Sequence, residues 1–197
     1  MKIFLTGSTG QVGSAIKNRL NQLKQHKVLS LEKNECDLSK TDSLKRSIDK
    51  HKPDLIINAA AYTKVDQAED DIDLAYLINS KAVRILSESA KDLDIPLIHF
   101  STDYVFDGSK KGKYNEKDKP NPIGIYGKSK FDGENAIREI DGYFYILRVS
   151  WVYSKIRSNF YLTIKNLIKE QKNIKIVSDQ YGIPSSSLFI ADQIAKI

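Results

Sequence analysis

Met1-Lys2-Ile3-Phe4-Leu5-Thr6-Gly7-Ser8-Thr9-Gly10-Gln11-Val12-Gly13 opens the chain with a short apolar run, three glycines at intervals of three, and then a helix-like pattern. Glycines let a backbone turn sharply and let a ligand come close to the main chain. A helix starting at such a corner aims unpaired N–H groups and a positive dipole end at an anion. The spacing Gly-x-x-Gly-x-x-Gly is not the commoner Gly-x-Gly-x-x-Gly, so taken alone the stretch fits a plain strand–turn–helix corner equally well. The rest of the chain decides between these.

Downstream, short apolar runs alternate with longer amphipathic ones. The pattern predicts strands over Lys2–Leu5, Val28–Leu31, Leu55–Ile57, Leu97–Phe100, Tyr143–Leu147 and Ile174–Val177. It predicts helices over Gln11–Leu23, Asp42–Lys50, Leu74–Leu93, Lys128–Ile140 and Asn159–Glu170, with a last helix starting near Leu188. Near-continuously apolar strands separated by helices imply a parallel sheet covered on both faces, an α/β doubly wound, Rossmann-like fold. The polar stretch Asp107–Pro122 reads as a long surface loop of the kind that serves as a lid or binding loop. The chain stops inside a helical pattern, Ala191–Ile197, without a stop signal, and the expectation is that the natural protein continues.

The 197 residues suffice for one domain with a sizeable core, and 41% hydrophobic with 28% charged residues is ordinary for a globular protein. The net charge of +6 comes from dispersed lysines with no basic run interleaved with aromatics, so a solvated basic surface is expected and no nucleic-acid partner. A single cysteine, Cys36, excludes an intrachain disulfide and a cysteine-rich metal site, and His26, His51 and His99 have no metal-ligand spacing. No cluster of acidic ligands predicts a site for Mg²⁺. The N-terminus does not read as a signal peptide, and no apolar run approaches the roughly 18 residues of a membrane span. A cytoplasmic location and no membrane partner are the expectation.

Several positions carry candidate chemistry. Glu32 ends the second predicted strand, where an acidic residue would bond an adenosine ribose, while the following Lys33 would favour a 2′-phosphate. Asp37 either lies near that adenosine or caps the next helix. Asn58-Ala59-Ala60-Ala61-Tyr62-Thr63 puts small residues at the end of the third strand, where ligands bind in open α/β sheets. Ser101-Thr102-Asp103-Tyr104 ends the fourth. Tyr126 and Lys130 are four apart at a helix start and so share a face. An ammonium beside a phenol stabilises the phenolate, and such a tyrosine exchanges a proton with a substrate oxygen that Thr102 also reaches. A second Tyr-x-x-x-Lys, Tyr161 with Lys165, sits mid-helix and reads as an ordinary helix pair.

Taken together, these segments resemble the extended short-chain dehydrogenase/reductases and, more narrowly, the dTDP-4-dehydrorhamnose reductase family. Thr102-Asp103-Tyr104-Val105-Phe106-Asp107-Gly108 and Arg148-Val149-Ser150-Trp151-Val152-Tyr153 carry the likeness most specifically, together with the glycine corner, Asn58–Glu69, Tyr126–Lys130 and Asp179-Gln180-Tyr181-Gly182-Ile183-Pro184. The resemblance implies a dinucleotide-binding part over 1–150 and, over 151–197, the continuation of the sheet with part of a smaller substrate-binding region, incomplete here because family members are longer. It implies that Gly7, Gly10, Gln11, Val12 and Gly13 form the pyrophosphate corner, and that Glu32, Asp37 and Leu38 lie near the adenosine. Ala60, Ala61, Tyr62 and Thr63 would line the cofactor, NADPH or NADH. Thr102, Tyr126 and Lys130 would form the catalytic set, with Asn79 supporting it. Val65, Thr102, Asp103, Tyr104 and Trp151 would touch a dTDP-sugar. The implied reaction is reduction of the C4 keto group of dTDP-4-dehydro-L-rhamnose, and a homodimer is compatible with the likeness. A dehydratase is disfavoured, because Tyr104 follows Asp103 where an Asp-Glu pair is expected. A 4-epimerase, and a non-catalytic NADP-binding subunit like that of methionine adenosyltransferase, remain as alternatives.

Overall fold

The computed structural model describes residues 1–31, 33, 36–170, 174–176 and 178–197. Five strands form one parallel sheet: β1 (Lys2–Thr6), β2 (Lys27–Ser30), β3 (Leu55–Asn58), β4 (Leu97–Thr102) and β5 (Phe144–Val149). Their order is β2-β1-β3-β4-β5. Chain direction across the sheet reverses between β1 and β3, which opens a crevice at their C-terminal ends.

Alternation along each strand sorts the core into two layers. Ile3, Leu5, Ile57, Ile98 and Phe100 face one side. There they meet α1 (Gln11–Leu23) and α7 (Ser187–Ile194) through Ile16, Leu20, Ile190 and Ile194. Phe4, Ile56 and Leu97 face the other. That side is covered by α2 (Thr41–His51), α4 (Ala82–Asp92) and α5 (Ile125–Ile140) through Leu44, Ile48, Val83, Leu86 and Ile137.

Two expectations are corrected. The span read as one helix over Leu74–Leu93 is α3 (Ile72–Tyr76), a π turn over Leu77–Lys81, and then α4. The π turn inserts a residue where Asn79 is needed, as shown below. The expected sixth strand at Ile174–Val177 does not form over residues 174–176, and Val177 lies outside the described residues. A short parallel pair, β6 (Val152–Tyr153) with β7 (Ser185–Ser186), joins the C-terminal segments instead. Helix α6 (Phe160–Lys169) starts at Asn159, whose side chain accepts from the Leu162 amide.

Candidate active site

The glycine corner is built by close backbone approach. Gly7 has φ +67°, and a Cβ there would sit 2.6 Å from the main chain of Ala59 and Ala60. A Cβ on Gly13 would lie 2.1 Å from the Gly7 carbonyl oxygen. Only glycine lets α1 start this tightly against β1 and β3. Gly10 is the N-cap of α1, with no capping side chain and no acidic residue in the first turn. The first amides are therefore available to an anion. Ser8 Oγ, in the same wall, is buried without a protein partner. A cradle that a Cβ would fill and an unsatisfied buried hydroxyl both fit a phosphate group.

A polar thread runs across the ends of the central strands. Thr6, Asn58 and His99 continue the strand faces of Phe4, Ile56 and Leu97 and so point toward α5. Thr6 Oγ1 donates to Asn58 Oδ1 (2.6 Å), which also accepts from the Ala60 amide (3.3 Å). This orients Asn58 Nδ2 toward His99 Nδ1 at 3.0 Å. The neutral ring assigned by this network carries its hydrogen on Nε2, 3.4 Å from Lys130 Nζ. Burial, and then the Lys130 charge, hold the His99 pKa well below the ordinary value, so the ring stays neutral. Lys130 Nζ donates to the Phe100 carbonyl at 2.6 Å. Burial draws the lysine down from 10.5 to about 8, against the pull of the Glu134 carboxylate one turn along α5.

Tyr126 lies in the first turn of α5, with Lys130 one turn below. Burial raises its phenol to about 12, partly opposed by a hydrogen bond with Thr102 and reinforced by Asp103 and Tyr104. The sequence reading has Lys130 lowering this phenol. The geometry instead anchors Nζ to β4, and burial dominates, which keeps Tyr126 in the protonated form that a proton donor needs. Tyr104 packs edge-on against Tyr126, ring centroids 5.5 Å apart. Its amide donates to Thr102 Oγ1 at 3.2 Å. A Cβ on Gly127 would lie 2.2 Å from the Tyr104 carbonyl, so this glycine allows α5 to approach the end of β4.

Asn79, in the π turn, accepts from the Tyr62 amide (2.9 Å) and donates to the Tyr62 carbonyl (3.1 Å) and Ser129 Oγ (3.0 Å). It thereby ties the loop after β3 to α5. Gly133 lets these helices touch, since a Cβ there would sit 2.1 Å from the Asn79 carbonyl oxygen.

These elements enclose a cleft of about 640 Å³. At one end it is lined by Gly7, Gly10, Gln11, Val12, Lys33, Asp37 and Leu38. Ala60, Ala61 and Thr63 line the middle. Val65, Thr102, Asp103, Tyr104, Tyr126, Lys130 and Trp151 line the other end. Gly13 and Tyr62 stand outside this lining. Gly13 serves the close contact above, and the Tyr62 hydroxyl donates to Asp71 at 2.7 Å. Glu32 lies outside the described residues. Asp37 does not cap α2: its Oδ1 accepts from the Ser39 amide (2.9 Å) and hydroxyl (2.7 Å), and Lys40 is the N-cap. Tyr161 and Lys165 lie on α6, away from the cleft lining. Among the described residues no group of His, Cys, Asp or Glu could hold a metal ion.

Sequence reasoning missed three contributions. His99 was visible as the lone polar residue in the run Leu97-Ile98-His99-Phe100. Glu134, fully buried on α5, binds Arg148 through two bonds (2.8 and 2.6 Å) and Arg138 through a third (2.9 Å). Arg148 also lies over the Phe106 ring at 4.9 Å, which anchors the start of the 107–122 loop. Arg157 lines the cleft beside the glycine corner, with no sequence signal to mark it.

The family model described as the RmlD substrate binding domain matches residues 1–197. The chain is 42% identical over 192 residues to a dTDP-4-dehydrorhamnose reductase of Burkholderia thailandensis, covering 98% of this chain and 64% of that protein. It thus spans less than two thirds of that relative's length. Among solved structures, a dTDP-4-dehydrorhamnose reductase from Clostridium acetobutylicum superimposes with a TM-score of 0.95 at 36% identity, over all of this chain and 69% of that one. The Bacillus anthracis dTDP-4-dehydrorhamnose reductase solved in complex with NADP gives 0.94 at 36% identity, over 99% and 69%. With its glycine corner, cleft and full-length match, the chain belongs to the RmlD substrate binding domain family.

Proposed function

We propose that this chain forms the cofactor-binding and catalytic part of an NADPH- or NADH-dependent reductase acting on C4 of dTDP-4-dehydro-L-rhamnose. The observation that carries the reading is the placement of Tyr126, Thr102 and Lys130 at one end of a cleft whose other end is the glycine corner. Relatives named for this reaction, one solved with NADP, support it. Residues 1–150 hold most of the cleft, and 151–197 begin the substrate side with Trp151. The absence of a described helix long and apolar enough to cross a membrane is compatible with a cytoplasmic enzyme.

When bound, the nicotinamide supplies a hydride to the C4 carbonyl carbon. The chain's part is orientation and proton supply. The α1 amides would hold the diphosphate, and Ala60, Ala61 and Thr63 would leave room along the strand ends. Tyr126, kept protonated by burial, gives its hydroxyl proton to the C4 oxygen, turning the ketone into an alcohol. Thr102 hydrogen-bonds that oxygen and fixes the phenol. Lys130, one turn below Tyr126, keeps its Nζ on the Phe100 carbonyl and, with its pKa lowered by burial to about 8, lines the same end of the cleft. Trp151, held at φ +42°, offers an aromatic face to the nucleotide base.

The test is consumption of NADPH and NADH by the full-length protein supplied with dTDP-4-dehydro-L-rhamnose. Tyr126→Phe should lose at least about a hundredfold in turnover, in line with removal of a general acid, while still binding cofactor. Absence of substrate-dependent oxidation refutes the reductase reading. Unchanged turnover in the phenylalanine variant refutes the role given to Tyr126.

A further inference from the structure

Arg157 belongs to the loop between β6 and α6, far in sequence from the glycine corner, yet its Nε donates to the Thr9 carbonyl at 3.0 Å. The same loop is moored to the corner at a second point. Gln11 Oε1 accepts from Ser154 Oγ (2.8 Å) and Asn159 Nδ2 (2.9 Å). The Gln11 side chain is therefore engaged in seating the loop. Any anion at the corner meets the Gln11 main chain and whatever the loop presents.

What the loop presents is a guanidinium. Arg157 lines the cleft together with Ser8, Gly10 and Gln11. Among the described residues it forms no ion pair. One of its five N–H groups is used by Thr9, and the fork geometry of the others matches phosphate oxygens. Its backbone sits at φ +63°, a conformation that costs a non-glycine residue of order 1 kcal/mol. Ser8 Oγ, 95% buried by residue exposure and unpartnered, supplies a second donor in the same wall.

We propose that Arg157 is a pyrophosphate-binding residue, closing the glycine corner from the far side so that the diphosphate of a dinucleotide lies between the α1 N-terminus and a guanidinium. This rests on the dinucleotide reading above. The loop contributes charge as well as shape, and it couples the substrate-side segment after Trp151 to the cofactor end of the cleft.

The experiment titrates NADPH, NADH and inorganic pyrophosphate into the full-length protein and its R157Q and R157K variants, at low and at raised salt. Arg157 is exposed, so the variants are expected to melt like wild type. R157Q should weaken both dinucleotides by roughly ten- to a hundredfold, the loss expected for a charge-assisted hydrogen bond. The deficit should narrow as salt rises, and R157K should recover part of the affinity at low salt. At equal fractional saturation with NADPH, displacement should need less inorganic pyrophosphate in wild type than in R157Q. Equal dinucleotide affinity in wild type and R157Q overturns the proposal. A wild-type protein that binds no dinucleotide overturns the underlying cofactor reading instead.

Discussion

Replacing Lys130 by methionine should make the protein more stable and inactive. The side chain is 1% exposed, and methionine is an unbranched apolar substitute that fits the same channel. Moving the lysine value from 10.5 in the unfolded chain to about 8 in the fold burdens the charged folded state by roughly 3 kcal/mol near pH 7. Against this, the buried Phe100 carbonyl loses its donor, at a cost of about 1–2 kcal/mol. The net expectation is a gain of about 1–2 kcal/mol near neutral pH. Between the folded and unfolded pKa values the unfolded chain binds more protons than the folded one, so the wild type gains stability as pH rises through that window. This one group should return roughly 2 kcal/mol between pH 7 and pH 9.5. The methionine variant lacks the gain, so its advantage should disappear at the upper pH. Urea unfolding of both proteins at both pH values, with equal slopes, measures the double difference. A variant less stable than wild type by more than about 1 kcal/mol near neutral pH, or a difference that does not change with pH, would refute the reasoning.

Two further substitutions probe the frame around the site. Gly13→Ala drives a Cβ to 2.1 Å from the Gly7 carbonyl, against backbone that has nowhere to move, and should cost at least about 2 kcal/mol and most of the dinucleotide affinity. Gly142→Ala, where a Cβ would meet only Lys91 at an ordinary contact distance of 3.6 Å, is the tolerated control in thermal melts. Glu134→Gln removes the buried charge that Arg148 and Arg138 share and should destabilise by about 3 kcal/mol in urea unfolding. The paired change Glu134→Leu with Arg148→Met should lose less than Glu134→Gln alone, because it removes both charges of the bidentate pair together.

The parts of the fold that were legible in the sequence are those where burial imposes a period. Leu55–Ile57 and Leu97–Phe100 read as strands because both faces are covered, and Gln11–Leu23 as a helix because one face meets the sheet. Ile174-Lys175-Ile176 alternates like a strand, but alternation records exposure and not a partner, and β6 pairs with Ser185–Ser186 instead. The Leu74–Leu93 span read as one helix because the apolar stripe tolerates one extra residue. At the site, Thr102, Tyr126 and Lys130 were legible through their order along the chain. Arg157 was not, and His99 stood out only as a polar residue in an apolar run, since the partners of both come from tertiary neighbours. The pKa balance between Tyr126 and Lys130 was misjudged for the same reason, because spacing along a helix says nothing about how deeply each group is buried.

The π turn at Leu77–Lys81 has a consequence for how the chain tolerates changes in length. One residue of helix is about a 100° rotation and a rise of about 1.5 Å. Deleting a single residue there would let α3 and α4 fuse into a regular α-helix, with better local hydrogen bonding than the wild type has. The same deletion would swing Asn79 off the Tyr62 main chain and Ser129, or else turn the α4 stripe off Phe4 and Leu97. The segment is thus keyed by residue count: substitutions on its exposed face leave the key intact, whereas the shortest possible deletion improves the helix and unlocks the wall of the cleft.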